Sequence, residues 1–453
     1  MKTTRPTDSR ERVFLVGLGL KRASHVPGIE AGQAERASLA ELDELARSAG
    51  AQVTGNIFQM RDSVDPATLI GRGKMEEVKI EARLHNAPVI IFDRNLSPTQ
   101  QRNLERGTEC RVIDRAQLIL DIFARHARSR EGQLQVELAQ LNYLSPRLAG
   151  SAKELSRLGG GIGTRGPGEQ KLETDRRRIR DRVRKIGAAI EAIRKQRALR
   201  RQTRQSVPLG TVALVGYTNA GKSTLFNALS QAGVLVSPKM FATLDPTVRA
   251  VRLPSNRRVL LSDTVGFIRD LPPGLIAAFR ATLEEVEEAA LILHVTDISN
   301  PHHAEQDAEV LKTLDALGVA DRPRLHVLNK LDRLDEQQLA ALEQNHGAIR
   351  VSALTGAGLE ELLRRVDEAM PVDPIVRLRF HLPLEDGRSI ALVHGLGRVL
   401  HSEVQDSQMA IEAELPESVA RKLNLVPSTP AAAARGRAPR IAEDGGTLRA
   451  PRP

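Results

Sequence analysis

The chain has 453 residues, 41% of them hydrophobic, which is more than one core holds, since single cores rarely grow beyond roughly 250–300 residues. A formal net charge of +10 and a pI near 10 point toward polyanionic partners, RNA or an anionic membrane surface. One cysteine, Cys110, excludes an internal disulfide framework; no sequence spacing of a zinc-type Cys/His cluster is present, and 2% aromatic residues make base-stacking platforms a poor fit.

Residues 1–12 are polar and charged without an apolar signal core, and no run is long enough to span a bilayer, so the expectation is a soluble cytoplasmic protein. Val13-Phe14-Leu15-Val16-Gly17-Leu18 reads as a buried strand, and Leu39, Leu42 and Leu45 give residues 37–48 helical spacing. Ala51 to Met60 and Ala87 to Phe92 read as further strands, the second running into Asp93. Ser97-Pro98-Thr99-Gln100 is a capping box with proline at the first helical position. The alternation predicts an N-terminal α/β domain over residues 1–115. Within it, Ile70-Gly71-Arg72-Gly73-Lys74 is a Gly-rich basic turn ahead of a helix. It lacks Walker spacing, so a tight turn with a solvated lysine is a better reading than a phosphate site.

From Ala116 to about Leu144 the helical signal is long, carried by Leu118, Ile122, Leu134, Leu138 and Leu141. The run from Leu158 to Glu169 then holds six glycines and one proline and cannot be regular helix. Two readings stay open: a flexible connector, or a loop whose N–H groups and Arg165 approach an RNA backbone. In residues 171–205, Ile179, Val183, Ile186, Ile190 and Ile193 form a coiled-coil seam, and 14 Lys or Arg stand against 4 Asp or Glu. Residues 116–206 are therefore expected to be a basic antiparallel helical hairpin that meets phosphates by shape and charge.

Residues 207–370 carry the chemistry. The apolar run Val212-Ala213-Leu214-Val215 leads into Gly216-Tyr217-Thr218-Asn219-Ala220-Gly221-Lys222-Ser223-Thr224, a phosphate loop at a helix N-terminus. Its amides wrap a β-phosphate, Lys222 reaches the β/γ oxygens, and the Ser223 hydroxyl is offered to Mg²⁺. Between this loop and the next motif lies Phe241-Ala242-Thr243-Leu244-Asp245-Pro246-Thr247, placed for a loop ordered by Mg²⁺ and γ-phosphate. Thr243 is the chosen metal-ligating hydroxyl and Thr247 the alternative; spacing does not decide between them. In Asp263-Thr264-Val265-Gly266, Asp263 holds Mg²⁺ through water and the Gly266 N–H meets the γ-phosphate. Phe267 stands where a glutamine would orient water, which predicts slow intrinsic hydrolysis. Asn329-Lys330-Leu331-Asp332 reads guanine, because the Asp332 carboxylate accepts from a donor pair that adenine lacks. Ser352-Ala353-Leu354 supplies backbone donors for the guanine O6. Lys222, Thr243 and Gly266 form the expected catalytic set for in-line attack by water. Asn219 fits a K⁺-assisted phosphate loop, although bracing of the loop is the slightly preferred role.

Residues 371–425 read as a small α+β domain, with strands at 375–380, 397–404 and 408–414 and a helix at 417–423. Residues 426–453, rich in Pro, Ala, Gly and Arg, read as a disordered basic tail.

The sensor Asp263 to Phe267, the stretch from Phe241 to Thr247, the Gly-rich run 159–169 and the helical stretch Gly132 to Leu141 together resemble the HflX-type ribosome-associated GTPases over roughly residues 10–425. The resemblance implies an α/β domain and hairpin that dock on the large ribosomal subunit and its RNA, with GTP controlling occupancy. It also implies splitting or rescue of stalled ribosomes under stress. Two alternatives accompany this reading: an ATP-dependent RNA remodeller working through the N-terminal region, and an RNA-binding scaffold with a barely active GTP site. A monomer without a DNA partner is expected, and the charge leaves peripheral association with anionic membrane open.

Overall fold

The computed structural model describes residues 10–21, 33–148, 167–204, 209–230, 240–241, 246–269, 285–342, 347–370, 373–405 and 407–425. The chain divides into a large compact unit, residues 1–205 with 209–371, and a small one, 206–208 with 372–453. The Gly-rich run up to residue 166, the loop residues 242–245 and the basic tail fall outside the described residues.

The large unit begins with a parallel sheet of β1 (Arg12–Leu20), β2 (Gln52–Arg61), β3 (Val89–Phe92) and β4 (Arg111–Asp114), in the order β2-β1-β3-β4. Successive side chains of a strand point to opposite faces, and both faces of this sheet are covered. Val13, Leu15 and Ile91 join the cluster of Leu42, Leu45, Ile119 and Phe123 from helices α1 (Gln33–Ser48) and α4 (Arg115–His126). Phe14, Val16, Ile90 and Phe92 join that of Val78 and Leu104 from α2 (Arg72–Leu84) and α3 (Pro98–Thr108). Helix α3 starts on the expected capping box of Ser97 and Gln100. Helix α2 starts at Arg72, so the basic turn becomes its first turn, where Lys74 pairs with Glu77 at 2.7 Å.

The long helical signal after Ala116 is two helices. Ala127 leaves helical geometry (φ −65°, ψ 107°) with its side chain in the core, and Ser129 Oγ then accepts the Gly132 N–H at 2.9 Å to restart α5 (Arg130–Leu148). Helix α6 (Pro167–Arg204) packs beside α5 through the expected seam: Ile186 is buried, while Ile179, Val183, Ile190 and Ile193 are half-buried. Arg182 donates twice to Glu137 of α5, at 2.6 and 2.8 Å.

A second sheet follows, of β5 (Thr211–Gly216), β6 (Thr247–Arg252), β7 (Arg258–Asp263), β8 (Leu291–Asp297), β9 (Arg324–Asn329) and β10 (Ile349–Arg350), in the order β10-β9-β8-β5-β7-β6. Only the β6–β7 pairing is antiparallel. Helices α7 (Lys222–Ser230), α8 (His303–Ala316), α9 (Glu336–Leu342) and α10 (Leu359–Ala369) belong to it. The chain leaves β5 toward β7 and returns to β8 on the other side, so the order reverses at β5. In open α/β sheets, ligands bind beyond the carboxyl ends of the strands at such a reversal. The fold is thus mixed α/β with a mainly parallel nucleotide-type sheet.

The small unit is an antiparallel sheet β11-β13-β12, from β11 (Ile375–Pro383), β12 (Arg398–Gln405) and β13 (Gln408–Pro416). It encloses Phe380, Val393, Ile411, Leu415 and Val419 with helices α11 (Gly387–Leu396) and α12 (Glu417–Lys422). Helix α11 lies in a stretch with no helical expectation from sequence. Glycines at 387 and 395 weaken its helical signal, and Asp386, accepting from the Ser389 N–H, supplies the cap. Among the described residues no helix is long and apolar enough to cross a membrane.

Candidate functional site

The apolar strand β5 is buried, and its end delivers the loop Gly216 to Thr224 to the sheet's reversal point. Gly221 has φ +90°, and a Cβ there would overlap the Asn329 amide. Asn219 also takes a left-handed φ of 62°; it is exposed, and among the described residues its side chain makes no hydrogen bond. The bracing role preferred for Asn219 therefore has no bond to rest on.

Lys222 opens α7 and is buried, its Nζ donating to the Gly216 and Tyr217 carbonyls at 3.1 and 2.8 Å. Burial pulls its pKa down to about 8; Asp263 opposes the shift and Lys330 adds to it. A desolvated ammonium at a helix N-terminus is set to receive an anion. Beside it, Ser223 Oγ donates to Asp263 Oδ2 at 2.7 Å. A hydroxyl and a buried carboxylate at this separation fit the donor set of a Mg²⁺ ion, the hydroxyl as direct ligand and the carboxylate through water. Gly266 closes the cradle: a Cβ there would lie 2.9 Å from Thr218 Cα and 3.0 Å from Lys222 Nζ. The sensor strand is laced to the loop, Thr218 N–H to the Phe267 carbonyl at 2.8 Å and Phe267 N–H to the Gly216 carbonyl at 3.1 Å. Thr264 Oγ1 donates to the Leu214 carbonyl at 2.6 Å, and Val265 is buried. The Phe267 side chain is buried in the hydrophobic cluster that also holds Tyr217 and Val265.

At the ends of β8 and β9, Lys330 (φ 70°) pairs with Asp297 at 2.6 Å. Ser352 Oγ donates to one oxygen of the exposed Asp332 at 2.5 Å, orienting the carboxylate expected to read guanine. Leu331 opens a short 3₁₀ turn. Asn329 has a further role beside the one expected for the guanine motif. It is buried, its Nδ2 donating to the Ala220 carbonyl at 2.9 Å and its Oδ1 accepting the Ala353 N–H at 3.0 Å, so it ties the phosphate loop to the base loop. The Ala353 and Ser352 N–H groups already have protein acceptors, whereas that of the exposed Leu354 has none among the described residues. Thr247 stands opposite Asp263 in the β6–β7 ladder; Ala242, Thr243 and Leu244 lie outside the described residues.

Sequence reading missed a second set of residues. Tyr217 Oη donates to Glu41 of α1 at 2.6 Å and accepts the Arg269 N–H at 2.9 Å. Glu41 is ion-paired with the fully buried Arg115, which also holds Asp93 at 2.8 Å. Burial, then the neighbouring Glu41 carboxylate, holds the Tyr217 phenol above its usual range. Next door, the Met240 N–H donates to Ser48 Oγ at 3.0 Å, and Phe241 meets Phe123 edge-on at 4.5 Å between ring centroids. The α/β domain thus touches both the phosphate loop and the start of the loop carrying Thr243. A cavity of about 850 Å³ lies along this junction, lined by Glu41, Glu44, Tyr217, Asn219 and Arg269 among others. The only sequence signal for these contacts was polar residues, Glu41 and Asp93, beside buried elements.

Comparison with known proteins matches three family models: a GTP-binding GTPase N-terminal region at residues 36–124, a GTP-binding GTPase middle region at 126–204, and a 50S ribosome-binding GTPase at 211–330. A GTPase HflX from Lacrimispora saccharolytica is 44% identical over 409 residues, 90% of this chain and 94% of that protein. The GTPase HflX of Escherichia coli K12 is 42% identical over 382 residues, 83% and 89% of the two chains. Among solved structures, a GTP-binding protein of Sulfolobus solfataricus in complex with GDP aligns at TM-score 0.41 and 25% identity, covering 79% of this chain and 98% of that one.

Proposed function

The chain belongs to the HflX family of GTPases and hydrolyses GTP, and from that premise we propose that it is a nucleotide-switched factor of the large ribosomal subunit, working in the cytoplasm to split or rescue stalled ribosomes under stress. Lys222 and the loop amides hold the phosphates, Asp332 selects guanine, and Ser223 with Asp263 would hold Mg²⁺. When bound, that ion supplies charge neutralisation across the β- and γ-phosphates. The Gly266 N–H senses the γ-phosphate, and Thr243 is the proposed partner hydroxyl from the preceding loop. With the Phe267 ring buried in the core, this position offers nothing to orient the attacking water, so unstimulated turnover is slow and a bound ribosome accelerates it. K⁺ near Asn219 is a further proposal; equal GTPase rates in K⁺ and Na⁺ at matched ionic strength would remove it.

The observation that carries the switch is the pair of contacts Tyr217–Glu41 and Phe241–Phe123. Through them, a change at the γ-phosphate reaches the domain that leads into the basic helix α6. Co-sedimentation with large ribosomal subunits tests the reading, using GTP analogue, GDP and no nucleotide at two salt concentrations. Binding strongest with the analogue and weakened by salt is expected; binding indifferent to nucleotide sinks the switch.

A further inference from the structure

Behind the base-reading loops, β8 and β9 place His294 and His326 directly opposite each other as cross-strand partners. Their rings stack at 4.9 Å between centroids, 23° from parallel. Helix α8 brings Asp307 over both, with His294 Nε2 3.1 Å from Oδ1 and His326 Nε2 3.3 Å from Oδ2. Nothing in the phosphate or guanine chemistry uses these residues.

His294 is buried and Asp307 largely so, whereas the His326 side chain is 38% exposed and opens the cluster to solvent on one side. His294 Nε2 lies 3.1 Å from Asp307 Oδ1 but is poorly aligned for a hydrogen bond to it. An imidazole nitrogen has one in-plane direction for a proton or lone pair. The three ligand atoms all lie within 4.8 Å of one another. His294 Nε2 and His326 Nε2 face the two different oxygens of the one Asp307 carboxylate, at 3.1 and 3.3 Å, so all three side chains offer ligand atoms to a single small space. Thr296 Oγ1 touches Asp307 Oδ1 at 2.6 Å and His326 Nε2 at 2.9 Å, so it orients the carboxylate as the surroundings of a metal ligand do.

We infer that His294, Asp307 and His326 bind one zinc-type divalent cation, with water from the open side as fourth ligand. Two imidazoles and one carboxylate suit Zn²⁺ or Co²⁺ better than Mg²⁺, which prefers oxygen. Binding replaces the Thr296–His326 hydrogen bond and fixes α8 to β8 and β9, three residues before Asp297 on one strand and before Asn329 on the other. The ion is thus distinct from the nucleotide's Mg²⁺.

The test uses the full chain without a histidine tag, its phosphate loop saturated with GDP and Mg²⁺. Co²⁺ is titrated and followed by visible absorption, then Zn²⁺ by calorimetry and by melting temperature. One equivalent of Co²⁺ with intense tetrahedral bands, displaced by Zn²⁺, is expected. A Zn²⁺ excess of about 100-fold over Kd should raise the melting temperature by about 5 °C. His326→Gln and Asp307→Asn should each weaken binding by about 100-fold or more. His326 is partly exposed, so its variant tests the site even if the Asp307 change compromises folding. Absence of a stoichiometric tetrahedral cobalt spectrum in the unmodified chain overturns the inference, as does unchanged affinity in the variants.

Discussion

The six-stranded sheet and the four-stranded sheet of the large unit meet at the phosphate loop but are specified in different ways. In the first, chemistry sits on short contiguous stretches, each at the carboxyl end of a strand: Gly216 to Thr224 after β5, Asp263 to Gly266 after β7, Asn329 to Asp332 after β9. In the second no stretch looks chemical, yet Glu41, Arg115 and Asp93 form a buried charge cluster that ends on Tyr217. One region is built to touch a ligand and the other to touch the first region. The phosphate loop of the nucleotide site is thus held in part by the neighbouring domain, through Tyr217 and Glu41.

Breaking the charge cluster has the largest expected effect. Arg115→Ala leaves two carboxylates facing each other in the interior and should cost about 3–5 kcal/mol of stability, read as a lower denaturant midpoint. A loss under 1 kcal/mol would show that water reaches the cluster.

Lys222→Ala strikes the ligand side of the comparison. Turnover of GTP should fall by about 10²–10³-fold, the usual loss for one preorganised donor to developing charge, with folding intact. Steady-state phosphate release measures it, and near-normal turnover would place the active site elsewhere.

Tyr217→Phe cuts the link between the regions while keeping the ring. It removes the bonds to Glu41 and Arg269 and should cost about 1–2 kcal/mol. Nucleotide-dependent differences in hydrogen exchange of α1 should shrink with it. If α1 responds to GTP analogue as before, the signal travels by Phe241 and Phe123 instead.

The smallest effect is a proton. The Lys222 pKa lies at about 8 in the folded protein, below the ordinary lysine value of about 10.4. The unfolded chain therefore binds more protons between these values, and the stability of the nucleotide-free protein rises with pH across that window. Phosphates restore the charged form, so GDP binding at about pH 9 should take up close to one proton, and at about pH 6 close to none. Calorimetry in buffers of different ionisation enthalpy measures the uptake; equal uptake at both pH values would mean that Lys222 stays charged without nucleotide.

What the sequence determined by itself is the chemistry held on contiguous backbone. A phosphate loop needs glycines, a lysine and a hydroxyl at fixed offsets, because the amides that wrap the anion belong to consecutive residues, and Gly216 to Ser223 carry that pattern unaided. A continuous apolar run likewise exposed β1, which is buried on both faces, and helical spacings exposed α1 and the seam of α6, where burial of one face leaves its mark. Tertiary structure alone decided which residues hold these pieces. Tyr217 and Glu41 are 176 residues apart, and no local spacing relates them. Asn329, read from sequence as part of the guanine motif, also ties Ala220 to Ala353, a bracing role that sequence does not show because its partners come from loops of other strands. His294 and His326 became neighbours only through the β8–β9 register, and Asp307 only through the docking of α8. Such contacts depend on how elements pack, and packing leaves no fixed interval in the chain.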